Sequence, residues 1–129
     1  MEFMLDTDTA SFIIKNHPQV VAMAEKHNGE WCISSIVYQE LFAGLLALKS
    51  AKHEESFSNF LRLAEVVSFT MADAMAAAEI RRDLKQSGLN IGHMDEQIAG
   101  HAANSGLTLV SGNQKHFSTI KGLSLASWV

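Results

Sequence analysis

Short apolar runs alternate with helix-like segments along the whole chain, and this alternation constrains the fold more than any other feature. Strands separated by helices imply parallel pairing with right-handed crossovers. The sequence therefore predicts an α/β protein, a three-layer α/β/α sandwich around a central, mostly parallel sheet. Strands are expected at residues 3–5, 31–33, 66–69, 107–110 and 123–125, and helices from 7 to about 15, at 18–27, from 35 to about 48, at 52–64, at 72–86 and from 95 to 104.

Length and composition limit what else the chain can hold. At 129 residues, with 47% apolar and 19% charged side chains, it has the size and balance of one globular domain spanning 1–129. No apolar run reaches the roughly 18 residues that a membrane span requires. With an acid at position 2, the N-terminus also lacks the basic start of a signal peptide. We therefore expect a cytoplasmic location and no membrane partner.

Four polar residues far apart in the chain stand where an apolar stretch gives way to a helix or loop. They are Asp6, Glu40, Asp95 and Asn113. Parallel sheets gather the carboxyl ends of their strands along one edge, so these groups are expected to meet there. Carboxylates that meet need a cation, and a bound cation suggests phosphodiester chemistry.

Each position also has a simpler interpretation. Asp6 fits a helix N-cap as well as a metal ligand. Glu40 is more telling, because Ile36, Val37, Ala43 and Gly44 occupy neighbouring helical positions. A carboxylate buried on such an apolar face is costly unless it is paired or metal-bound, so a functional role is favoured.

Asp95 and Asn113 also allow both a structural and a functional interpretation. Asp95 precedes Ile98, Ala99 and Ala102 at helical spacing, which predicts an inward-facing stripe. A helix N-terminus also favours an anion by itself. Asn113 follows a strand in a Ser-Gly-Asn turn, which turn chemistry alone explains.

The net charge of -4 argues against a protein that coats nucleic acid non-specifically. It does not exclude a nuclease, because catalytic acids lower the net charge while basic groups elsewhere hold the backbone. Arg81, Arg82, Lys85, Lys115 and Lys121 could serve in this way, although a solvated surface charge explains each of them separately. The six histidines include no His-x-x-x-His pair, so a zinc site is not indicated.

Taken in order, the motifs resemble those of PIN-domain ribonucleases, and in particular the VapC toxins of bacterial toxin–antitoxin modules. The resemblance is carried by Met-Leu-Asp-Thr at residues 4–7, Ile-Ser-Ser-Ile-Val-Tyr-Gln-Glu-Leu at 33–41, Asp-Glu-Gln-Ile-Ala-Gly-His-Ala at 95–102 and Leu-Val-Ser-Gly-Asn-Gln-Lys-His-Phe at 109–117. It extends over essentially the whole chain, up to the closing Leu-Ala-Ser-Trp.

The resemblance implies that Asp6, Glu40 and Asp95 are the metal ligands, with Asn113 at the fourth catalytic position. It also implies Mg²⁺, or Mn²⁺, as the cofactor of an endoribonuclease. Substrate contacts are predicted for Thr7, Ser111 and His93. The chain departs from close relatives at His93-Met94, where a Pro-Phe pair is common, and this departure puts substrate contacts in doubt.

Family membership further implies three kinds of partner. The substrate is RNA, with the anticodon loop of initiator tRNA favoured. A VapB-type antitoxin is expected to cover the active site in a toxin–antitoxin hetero-oligomer, and a homodimer is expected to form through an apolar patch of the early helices.

Two alternatives stay open at this point. Leu-Asp-Thr-Asp-Thr also fits the motif of haloacid-dehalogenase-like phosphatases, with Asp6 as nucleophile and Asp8 as general acid. The later motifs of that family are missing. The chain could also be a catalytically degenerate PIN domain that acts as a binding module.

Overall fold

The computed structural model describes residues 1–129, and its centre is one sheet of five short strands. The strands are β1 (Phe3–Leu5), β2 (Trp31–Ser34), β3 (Glu65–Val67), β4 (Thr108–Val110) and β5 (Leu125–Ala126). Their order across the sheet is β3-β2-β1-β4-β5, and every neighbouring pair is parallel. The predicted α/β fold is confirmed, with a sheet that is wholly rather than mostly parallel.

Helices connect the strands and cover the sheet. They are α1 (Thr7–Ile14), α2 (Pro18–Lys26), α3 (Ser35–Leu48), α4 (Ala51–Leu63), α5 (Met71–Gln86), α6 (His93–Asn104) and α7 (Gln114–Phe117). The sequence predicted all of them except α7. With four residues, α7 is too short for a helical period to show in the sequence. None of the seven combines the length and hydropathy needed to cross a membrane.

Two strand predictions need correction. The third strand begins at Glu65 and ends at Val67, and the last strand is Leu125–Ala126 rather than 123–125. Both strands lie at the edges of the sheet, where the backbone pairs with a neighbouring strand on one side only. The length of that one neighbour therefore limits the length of the edge strand.

The core lies around the two central strands. Every residue of β1 and β2 is buried, and side chains on successive strand positions point to opposite faces, so both faces of the sheet are covered. Met4, Leu5, Ile33, Leu109 and Val110 have no exposed surface. Burial of each such side chain contributes about 1.5–3 kcal/mol to folding.

Helices α5 and α6 approach each other closely at Gly100. A Cβ atom built on this glycine would lie 2.6 Å from the backbone nitrogen of Ala77 and 2.7 Å from its Cα. The contact therefore requires a residue without a side chain on α6. It fixes the position of the helix that carries Asp95.

The strand order creates a crevice beside β1. The chain runs from β1 outward to β2 and β3, then returns to place β4 on the other side of β1. Ligands of open α/β sheets bind at such a reversal, outside the carboxyl ends of the strands. The topology thus predicts the site at the ends of β1 and β4.

Candidate active site

The chain leaves β1 at Asp6 and β4 at Ser111, on the two sides of the crevice. The backbone N–H of Asp6 donates a hydrogen bond of 3.0 Å to the carbonyl oxygen of Val110, and the hydroxyl of Thr9 donates to the same oxygen at 3.2 Å. These bonds hold the two strand ends together and fix where the first acid stands.

A small cavity of about 140 Å³ opens at this point and brings together the four positions that the sequence singled out. The first turns of α1 and α6 both border it, and helix N-termini stabilise negative charge. The lining residues are Asp6, Thr7, Asp8, Glu40, Met94, Asp95, Asn113 and Phe117.

Asp6 both caps a helix and faces the cavity. Its Oδ1 accepts a hydrogen bond of 2.9 Å from the backbone N–H of Thr9, which makes it the N-cap of α1. The residue is only 7% exposed, and its Oδ2 makes no hydrogen bond within the protein. The two interpretations of Asp6 are therefore compatible, because each needs only one carboxylate oxygen.

Glu40 reaches the cavity from α3, but the burial argument made for it is wrong. The side chain is exposed, on a helix in which Val37 is the one buried residue despite the apolar composition. Its Oε2 accepts a hydrogen bond of 3.1 Å from the hydroxyl of Thr7. Thr7 thus positions Glu40 beside the cavity.

Asp95 stands in the first turn of α6. That helix begins after Gly92, whose φ of 91° is readily adopted only by glycine, and no side chain caps it. Asp95 Oδ2 lies 2.9 Å from Nε2 of His116. Burial raises the pKa of Asp95 above its ordinary value, His116 offsets part of the rise, and the charges of Asp6 and Asp8 add to it.

Asn113 lines the cavity with a side chain that makes no hydrogen bond within the protein. Its position depends on Ser111, whose hydroxyl accepts a bond of 3.0 Å from the Asn113 backbone N–H. Ser111 itself is fully buried and does not line the cavity. The predicted substrate contact by Ser111 does not fit this placement, because its hydroxyl faces the turn that it supports.

His93 also lies outside the cavity. It is the first residue of α6, it is exposed, and its Nδ1 contacts the guanidinium of Arg81. Met94, which follows it, does line the cavity. Of the two residues that stand in place of the Pro-Phe pair of close relatives, Met94 therefore forms part of the cavity wall and His93 does not.

The donor set suits a hard divalent cation. Carboxylate and amide oxygens from Asp6, Asp8, Glu40, Asp95 and Asn113 are the ligands that Mg²⁺ and Mn²⁺ prefer. No three His, Cys, Asp or Glu side chains stand close enough to hold one ion together in this structure. However, Asp6, Glu40 and Asp95 each use one carboxylate oxygen in a hydrogen bond and keep the other free.

Two further residues belong to the site. Asp8, which the sequence offered only as the general acid of the phosphatase alternative, is exposed and borders the cavity two positions after Asp6. His116 was missed by the sequence reasoning. His116 holds Asp95, and its ring nitrogen also lies 3.0 Å from the carbonyl of Ile91. It sits on α7, the helix that the sequence did not predict.

A buried polar network connects the helices that carry Glu40 and Asp95. Ser34, the N-cap of α3, lies 2.9 Å from Nδ1 of His101 on α6, and Nε2 of the same ring lies 3.3 Å from Asp73 Oδ2. The arrangement has the order of a hydrolase triad, but the three residues are 0%, 1% and 3% exposed, so no substrate reaches them. The network holds the site's helices in place.

The protonation of this network follows from its surroundings. Burial lowers the pKa of His101, with Asp73 opposing the shift, so the ring is neutral near pH 7. Hydrogen bonds from Thr70 and Asn104 hold the pKa of Asp73 below its ordinary value, although burial opposes them. A neutral ring accepts from the Ser34 hydroxyl at Nδ1 and donates from Nε2 to the carboxylate.

A parallel sheet with acids gathered at its topological reversal is the architecture of the PIN domain, and the PIN-domain family model matches residues 3–123. The chain belongs to the PIN-domain family.

Its relatives within that family are VapC ribonucleases. It is 36% identical to the tRNA(fMet)-specific endonuclease VapC of Salmonella typhimurium, over 99% of this chain and 98% of that one. It is 32% identical to ribonuclease VapC2 of Haemophilus influenzae, over 100% and 99% of the two chains. The crystal structure of VapBC2 from Rickettsia felis bound to a DNA fragment from their promoter matches with a TM-score of 0.90 and 33% identity over the full length of both chains.

Proposed function

We propose that this chain is the toxin of a toxin–antitoxin module and acts as a metal-dependent endoribonuclease on initiator tRNA. The observation that carries the proposal is the meeting of Asp6, Glu40, Asp95 and Asn113 at one cavity, at the crevice where the topology predicts a site. The sequence relatives that are named ribonucleases cover the chain from end to end and support the chemistry.

The proposed ligands of the metal are Asp6, Glu40 and Asp95, each through its free carboxylate oxygen, with Asn113 as a weaker fourth contact. When bound, Mg²⁺ or Mn²⁺ supplies a Lewis acid that neutralises charge on the scissile phosphate and lowers the pKa of a coordinated water. Glu40 is exposed, so its side chain can turn away from Thr7 at little cost.

The remaining residues position these groups. His116 holds Asp95, Ser111 holds the backbone of Asn113, and the Thr7 hydroxyl holds Glu40. Thr7 also lines the cavity, which supports its proposed contact with substrate. Because His93 lies outside the cavity, it can contact the substrate only if the RNA extends past the start of α6.

The proposed substrate is initiator tRNA, because the Salmonella relative is named a tRNA(fMet)-specific endonuclease. The proposed position of the cut is the anticodon loop, as the resemblance to VapC toxins implies. Hydrolysis of the phosphodiester bond by water would leave a 5′-phosphate and a 3′-hydroxyl. Since its substrate is a tRNA, the enzyme is proposed to act in the cytoplasm.

The proposed partner is a VapB-type antitoxin, as in the VapBC complex of Rickettsia felis. Apolar side chains exposed on α3 support a protein interface there, namely Phe42, Leu46 and Leu48. The net charge of -4 complements a basic partner. A homodimer through the same early helices is also proposed.

The phosphatase alternative is not favoured. Its motif shares Asp6 and Asp8 with the cavity, but the family match extends over residues 3–123 and the relatives are ribonucleases. The degenerate binding module is not favoured either, because all four predicted positions border the cavity with free oxygen atoms.

The metal dependence is tested on purified protein with initiator tRNA. We expect cleavage in Mg²⁺, none in excess EDTA, and recovery when Mn²⁺ is added. Asp95→Asn should lower the rate by at least about 10²-fold, because it removes a charged ligand. Glu55→Gln changes the same charge at an exposed position on α4 and should leave the rate unchanged. Full activity in EDTA would contradict the proposal.

A further inference from the structure

A second groove adjoins the acidic cavity and shares Asn113 with it. This groove has a volume of about 330 Å³ and runs beside α7, where Lys115, His116 and Asn90 line it. His116 also contacts Asp95. The groove is thus continuous with the proposed catalytic centre, and its walls are basic and polar where those of the cavity are acidic.

Two further grooves follow, and each shares a lining residue with the groove before it. Thr119 also lines the next groove, of about 290 Å³, together with Lys121. Gln86 then joins that groove to a third, of about 520 Å³. The third groove runs along α5 and is lined by Arg81, Arg82 and Lys85.

The three grooves together hold five of the chain's ten Lys and Arg residues, and we call them the basic track. Both arginines of the track are paired with acids: Arg81 with Glu96 at 2.8 Å and Arg82 with Asp83 at 3.1 Å.

The three lysines of the track are free to bind an anion. Lys85, Lys115 and Lys121 are exposed and form no ion pair. In a chain with a net charge of -4, three unpaired lysines along adjoining grooves are a local positive feature that the overall composition conceals.

We propose that the basic track binds the sugar–phosphate backbone of the RNA substrate on one side of the cut. This inference rests on the proposed function, because a polymer cleaved in the cavity must leave it along some surface. The track begins at Asn113, in the cavity wall, and offers lysine charges together with the hydrogen-bonding side chains of Asn90 and Thr119. Phosphates are neutralised by such spaced basic groups without any reading of base sequence.

The test measures RNA affinity against salt concentration in EDTA, where no cleavage is expected to interfere. The probe is initiator tRNA, and the track variant combines Lys85→Gln, Lys115→Gln and Lys121→Gln. The matched control combines Lys15→Gln, Lys26→Gln and Lys52→Gln, which are exposed and line none of these grooves. Thermal unfolding of both variants checks that each is folded.

The track variant should lose at least about tenfold in affinity at low salt, and its slope of log K against log salt should become less negative by roughly 2 to 3. The control should keep the wild-type slope. Equal slopes in the two variants would overturn the proposal. So would a track variant that binds tRNA normally but no longer binds its antitoxin, because the surface would then belong to a protein partner.

A cleavage assay on the same proteins separates the two proposals. If wild-type protein cuts no RNA but only the track variant changes slope, the proposed function fails and RNA binding by the track stands. If wild-type protein cuts tRNA and the slopes are equal, the track alone is wrong. With cleavage present, the track variant should lose activity on whole tRNA and retain it on a short anticodon-loop oligonucleotide that fills only the cavity.

Discussion

Asp6 can act as a helix cap and as the proposed metal ligand with a single side chain. Its Oδ1 caps α1 through the backbone N–H of Thr9, and its other oxygen is left for the cavity. The sequence could not choose between a cap and a ligand, because both need a short acidic side chain at the end of a strand. The structure shows that no choice is required.

Substitution at this residue can separate the two functions. Asp6→Asn should retain the cap, since Asn caps helices as well as Asp does, and unfolding free energy should change little. Ribonuclease activity should fall by at least about 10²-fold, because the charged ligand is lost. Asp6→Ala should lose the activity and, in addition, about 1 kcal/mol of stability. Urea unfolding and a cleavage assay on both variants measure this; an active, stable Asp6→Asn would contradict the metal-ligand role.

His101 makes stability depend on pH through its buried neutral ring. Its pKa is lowered in the folded protein, so below about pH 6.5 the unfolded chain binds a proton that the folded chain does not. The unfolding free energy should therefore fall as the pH drops from about 7.5 to about 5.5. Asp73, whose pKa is also lowered, adds stability that is lost only in more acidic solution, below its unfolded pKa of 3.8.

Comparison of two histidine variants tests this assignment by urea unfolding at the two pH values. His101→Gln should be less stable than wild type at neutral pH and should lose less stability on acidification. His53→Gln, at an exposed position on α4, should retain the wild-type pH dependence. If His101→Gln showed the full wild-type loss, another group would be responsible.

At the scale of elements, the packing of α6 on α5 determines where Asp95 stands. The two helices meet at Gly100 and Ala77 with no room for another side-chain atom. The polar network of Ser34, His101 and Asp73 adds α3 to the same assembly. The site is therefore supported by contacts between helices as well as by the strand ends.

Gly100→Ala should destabilise the protein by about 1–3 kcal/mol, because the new Cβ would overlap the backbone of Ala77 and force the helices apart. Gly44→Ala is the matched control in α3, where nothing lies within 4 Å of the new atom. It should stabilise the protein by about 0.5–1 kcal/mol, because alanine favours a helix over glycine. Chemical denaturation measures both; an equally stable Gly100→Ala would show that α5 and α6 can separate without cost.

The lengths of the helices and strands also explain which residues of the site the sequence did not predict. Asp95 and Asp6 lie where the sequence predicted, because apolar residues at helical spacing mark α6 and a short apolar run marks β1. His116 was missed because the four residues of α7 carry no periodic pattern. Ser111 was predicted to contact the substrate because it stands in the motif that contains Asn113. Its burial under the turn depends on tertiary contacts, which the sequence does not show.

For the whole molecule, the alternation of strands and helices was enough to predict a parallel α/β sheet, and the order of four motifs was enough to predict the family. The exposure of Glu40 could not be predicted, because the apolar residues of α3 suggest a buried helix and the structure leaves much of that helix in solvent. The grooves along the basic residues could not be predicted either, because each is lined by segments that are apart in the chain and come together only in the fold.

The acids at the ends of the strands are proposed to cut one RNA. The most direct measurement is the mapping of new RNA 5′ ends in cells after brief induction of the chain, with Asp95→Asn induced in parallel. We predict one dominant new end in the anticodon loop of initiator tRNA, growth arrest, and neither effect with the variant. The same RNA ends with both proteins, or no new end with either, would contradict the claim.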